Sequence, residues 1–123
     1  MARTTAVRLT GEDLTLADVW EVAVEHAGVE LDESARDKMA AARAVVEEAL
    51  GAEEPTYGVT TGFGRFVSTR VPGELAEELQ LRLLRSHACG VGEPYPEEIV
   101  RAAMLMRANA LAKGYSGTRV DVA

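Results

Sequence analysis

The chain has 123 residues, 47% of them hydrophobic and 27% charged, and carries a formal net charge of −7. That length bounds it to a single domain, with enough residues for a real core. The 20 acidic residues outnumber 13 scattered basic ones, which excludes a nucleic-acid surface, because phosphate binding needs clustered Lys and Arg.

Residues 6–10 alternate apolar and polar and lead into Gly11, so a short N-terminal strand and a turn are expected. Thr15 can cap a first helix that has Asp18 in its first turn and Leu16, Val19, Val22 and Ala23 at helical spacing, ending near His26. Val29 to Leu31 reads as a brief extended piece. Asp32 then opens a second helix with Ala35, Met39, Ala42, Val45, Val46 and Ala49 on one stripe, stopping at Gly51. Residues 65–72 read as extended. Gly73 opens a third helix with an apolar line of Leu75, Leu79, Leu83 and Leu84, ending near Ser86 and His87. A fourth follows Pro96, with Ile99, Ala102, Ala103, Met106 and Ala110 along it and Lys113-Gly114 at its end. The fold class is mainly α. One cysteine, Cys89, excludes an internal disulfide framework, and the first residues lack the apolar segment of a secretory signal. No apolar run approaches the roughly 20 residues that span a bilayer, so a cytoplasmic protein without membrane or nucleic-acid partners is expected.

Two stretches resist a purely structural reading. The first is Tyr57-Gly-Val-Thr-Thr-Gly-Phe-Gly64, with glycines at 58, 62 and 64. Its spacing is not that of a phosphate-binding P-loop, no Lys-Ser/Thr follows, and no strand–turn–helix unit surrounds it. Either it is a surface loop whose Tyr57 and Phe63 pack onto helices, or its glycines allow backbone motion and close approach to a ligand, with Tyr57 as acid or base. A phenol with its ordinary pKa of about 10 must be perturbed before it serves as a base near neutrality. The second stretch is Arg85-Ser-His-Ala-Cys-Gly-Val-Gly92. Taken singly, His87 and His26 read as helix-end groups, Cys89 as small packing, and Met104 and Met106 as core. No Cys/His cluster offers enough ligands for zinc.

Together, YGVTTGFG, LQLRLLRSHACGVGEP and LMRANALAKGYSGTR resemble the N-terminal part of the histidine ammonia-lyase and aromatic amino acid lyase family, over residues 6–123. The resemblance implies a mainly α-helical homotetramer that eliminates ammonia from histidine, phenylalanine or tyrosine with a methylidene-imidazolone electrophile. It also implies that residues 1–123 are one N-terminal helical region of a longer lyase, with loop 57–64 as an active-site lid. By the same resemblance Tyr57 is the catalytic base on that lid. Gly58, Thr61, Gly62, Phe63 and Gly64 form the moving loop, and Ser86 and His87 contact the substrate ring. A histidine at position 87 suits a polar ring, imidazole or phenol, without separating the two. The ANALAKGYSGTR segment more closely resembles the histidine enzymes, so L-histidine ranks first and a tyrosine ammonia-lyase or aminomutase second.

The electrophile forms from Ala-Ser-Gly, and no such tripeptide occurs here; Tyr115-Ser-Gly117 is the nearest string. The expectation is therefore an N-terminal fragment without ammonia-lyase activity of its own. Its apolar faces would be covered by self-association or by the remaining portion. A non-catalytic binding or assembly module is the competing reading.

Overall fold

The computed structural model describes residues 6–123. It has the order β1 (Val7–Leu9), α1 (Leu16–Ala23), β2 (Val29–Leu31), α2 (Glu33–Gly51), α3 (Gly73–His87) and α4 (Glu97–Ala112), with 3₁₀ turns at Gly64–Phe66 and Val120–Val122. The mainly helical class and the helix limits agree with expectation to within a few residues. The chain divides into two compact units, one comprising residues through Ala44 and from Pro94 to Ala123, the other Val45–Glu93.

In the first unit β1 and β2 pair in parallel, Val7 opposite Val29 and Leu9 opposite Leu31. A parallel pair needs a crossover rather than a tight turn, and α1 supplies it. Thr15 starts α1 through a reciprocal capping box: its hydroxyl accepts from the Asp18 amide, and the Asp18 carboxylate accepts from the Thr15 amide at 3.0 Å. Helix α1 closes at Ala23, short of His26. His26 takes the left-handed conformation (φ 56°), the Ala27 amide reaches back to the Glu21 carbonyl, and the His26 ring lies 3.7 Å from the Glu97 carboxylate.

Asp32 begins α2. Its carboxylate accepts from the Ser34 amide and hydroxyl at 2.9 and 2.6 Å, which holds its pKa below the usual carboxylate value, and Arg8 adds to the effect. Val7, Leu9, Val22, Ala35, Leu105 and Ala112 form the core, with Leu14, Val19 and Ala108 packed against it. Arg101 donates to the Val22 carbonyl at 3.0 Å and so satisfies the end of α1 from α4.

Several expectations about faces are overturned. In α2 only Ala35 and Met39 are fully buried, and Val45 is exposed. Helix α4 buries Leu105, Leu111 and Ala112 rather than the line through Ile99 and Met106, leaving Met104 and Met106 68% and 54% exposed instead of in the core. Apolar residues surround α4 almost completely, so periodicity does not choose its face. In α3, Leu75 and Leu84 are exposed and Ala76 is the buried residue; Cys89 is exposed rather than packed. Among the described residues no helix is long and apolar enough to cross a membrane.

Candidate active site

The second unit carries every site residue expected from sequence. Its centre is the glycine-rich loop, built on side-chain hydrogen bonds rather than on an apolar core. Thr60 and Thr61 are only 3% and 4% exposed. The Thr60 hydroxyl accepts from the Thr56 amide at 2.8 Å, and the Thr61 hydroxyl accepts from the Gly58 amide at 3.2 Å while donating to the Gly62 carbonyl at 3.0 Å. Both hydroxyls thus supply acceptors to loop amides, adding to the backbone bonds from the Val59 and Thr60 amides to the Thr56 carbonyl at 3.1 and 2.9 Å.

The chain then turns through Gly64–Phe66 and comes back, so residues 65–72 are not a continuous extended piece. The Gly62 amide donates to the Thr69 carbonyl at 3.0 Å and the Val71 amide to the Thr60 carbonyl at 2.8 Å, flanking a bridge between Thr61 and Arg70. A side chain at position 62 would meet the Phe66 carbonyl oxygen at 2.8 Å, so this close return requires glycine. Gly58 has φ 72°, in the left-handed region, and a Cβ there would press on the Phe63 ring at 3.0 Å.

Tyr57 heads this loop and is 62% exposed. Its ring meets Phe63 edge to face, with centroids 5.9 Å apart and planes at 79°. The two aromatics therefore pack on each other across the loop, which orients the phenol while leaving it exposed. Gln80, a residue not singled out from sequence, donates from Nε2 to the Gly58 carbonyl at 3.0 Å and ties the loop to α3. Only a polar residue midway along a leucine-rich helix hinted at it.

His87 ends the same helix, seven residues on from Gln80. Two turns of α-helix separate them, so they share a face about 10 Å apart along the axis. Ser86 Oγ lies 2.8 Å from the Leu83 carbonyl oxygen and 2.9 Å from His87 Nδ1, and Nδ1 lies 2.9 Å from the same carbonyl. The Ser86 hydroxyl is thus engaged with its own helix. Among the described residues no hydrogen bond joins Tyr57 to His87; α3 is the common support. No group of three or more His, Cys, Asp or Glu among the described residues could hold a metal ion.

The profile of the family described as aromatic amino acid lyase matches residues 14–123. The chain belongs to that family. It is 48% identical over 111 residues to the histidine ammonia-lyase of Geobacillus thermodenitrificans, covering 90% of this chain and 22% of that protein. Among solved structures, ergothionase from Treponema denticola superposes with a TM-score of 0.91 at 30% identity, over 96% of this chain and 24% of that one. Tyrosine aminomutase from Streptomyces globisporus gives 0.87 at 38% identity, over 94% and 22%. The chain thus spans less than a quarter of the length of each of these lyase-family relatives, and the ammonia-lyase fold expected from sequence is the one it adopts.

Proposed function

We propose that residues 1–123 act as the N-terminal helical region of a histidine ammonia-lyase, with loop 57–64 as its lid. The observation that carries this reading is the 48% identity to a histidine ammonia-lyase across 90% of the chain. Tyrosine aminomutase is similar at 38%, which keeps a tyrosine enzyme second.

In this reading the Tyr57 phenolate removes a proton from the substrate carbon next to the ring. The proton goes to the phenol oxygen, which is exposed to receive it. Phe63 limits how the phenol swings, and Gln80 ties the loop at Gly58 to one face of α3. His87, on that same face, meets the far end of the substrate as a hydrogen-bond partner for an imidazole ring. A lid of this kind excludes water while the proton is on tyrosine. The activation of the amine is the work of methylidene-imidazolone in the family. The 123 residues hold no Ala-Ser-Gly from which that group forms, so this chain does not supply it and has no ammonia-lyase activity alone. We place the complete assembly in the cytoplasm as a homo-oligomer. Exposed Leu16, Trp20, Met104 and Met106 support coverage by further protein.

The test is a chimera in which residues 14–123 replace the matching segment of the Geobacillus thermodenitrificans enzyme. The account expects the chimera to convert L-histidine to urocanate with release of ammonia, and the isolated 123-residue chain to produce none. A folded chimera that ignores L-histidine but turns over L-tyrosine would transfer the proposal to the tyrosine enzymes.

A further inference from the structure

We infer that the last turn of α3 fixes the proton of neutral His87 on Nδ1, so that the ring presents the Nε2 lone pair and accepts a hydrogen bond from whatever ligand it meets. Nδ1 is 2.9 Å from the Leu83 carbonyl oxygen, and a carbonyl oxygen only accepts. A bare Nδ1 there would set two lone pairs against each other. Ser86 does not relieve this. Its one hydroxyl proton can serve the Leu83 carbonyl at 2.8 Å or Nδ1 at 2.9 Å, but not both. Sent to Nδ1, it leaves the Leu83 oxygen facing Ser86 Oγ and Nδ1 with no proton in either contact. With the proton on Nδ1 and the Ser86 hydroxyl turned to Leu83, both contacts to the Leu83 oxygen become hydrogen bonds, and Nδ1 faces the Ser86 oxygen with a proton rather than with a lone pair. Neutral histidine free in water prefers the opposite arrangement, with its proton on Nε2, so the helix end would reverse the ordinary preference.

The consequence is a rule for the ligand. The hydrogen bond between His87 and a ligand ring then has one direction, the ring N–H or O–H donating and Nε2 accepting. Ser86 is a positioning residue here, acting through His87 rather than on the ligand. The identity of the donor rests on the proposed lyase function; the tautomer does not.

Long-range ¹H–¹⁵N imidazole correlations on the labelled 123-residue chain test this directly. They would be recorded near pH 8.5, about two units above the ordinary imidazole value of about 6.5. The chain has two histidines, so His26→Gln identifies the His87 signals. The expected result is a protonated-type Nδ1 and a lone-pair-type Nε2 in the majority form of His87. A majority with the proton on Nε2 overturns the inference, whether the Leu83 and Ser86 contacts fail to form or fail to prevail. The readout needs no substrate, so a chimera inactive on L-histidine leaves this inference standing, and an Nε2–H ring leaves the lyase proposal standing.

Discussion

The two units of the chain are held by different forces. In the first, Leu9, Ala35, Met39 and Ala112 are 2% exposed or less, and strands and helices share one apolar cluster. In the second, the buried residues among those described are two threonines, a glycine and Ala76, and the loop is ordered by side chains bonded to backbone together with a few backbone bonds. Apolar burial is non-directional and cooperative, whereas single hydrogen bonds contribute modestly and locally. The contrast separates two ways of ordering a chain: the first unit rests on shared apolar burial, and the loop of the second rests on a few local hydrogen bonds, each of which can be removed singly.

The largest effect expected from this contrast lies in the packed unit. Met39→Ala should lower the unfolding free energy by about 2–5 kcal/mol, as deletion of a fully buried side chain does, read as a shift in the urea midpoint. Thr60→Val should cost about 1 kcal/mol and show mainly as faster hydrogen exchange at the Thr56 amide. Equal midpoint shifts for the two variants would break the comparison. A smaller effect is expected at Asp32. Its carboxyl is held below the usual value by Ser34 and Arg8, so its contribution is present above the unfolded carboxylate range and lost as the pH falls through the folded value. Asp32→Asn should therefore lower the melting temperature slightly at pH 7, and the gap should close on acidification. A gap that widened in acid would contradict the assignment.

How far each unit was legible follows from the same difference. Thr15 with Asp18, Asp32 before α2, and Pro96 before α4 are local stop and start signals, and the helices begin where those signals stand. Faces were harder. Residues around α4 are apolar on nearly every side, and the choice of Leu105 and Ala112 over Met106 is made by packing against α1 and β1, which periodicity does not contain. In the loop, composition showed that Gly58, Gly62 and Gly64 serve a special backbone. It did not reveal the burial of Thr60 and Thr61, the return of Thr69 to Gly62, or the tie from Gln80, because each depends on partners fixed by the folded chain. Ser86 and His87 were visible as a pair, but their joint approach to Leu83 required the helix end.

The central claim is that Tyr57 works as the proton acceptor of a lid that α3 keeps in place. It is tested most directly by Tyr57→Phe in the active chimera, which keeps the ring against Phe63 and removes only the hydroxyl. The account predicts that kcat for L-histidine falls by about 10²–10⁴-fold, the range for loss of a general base, with the fold unchanged. Turnover within a few-fold of the parent chimera would contradict it.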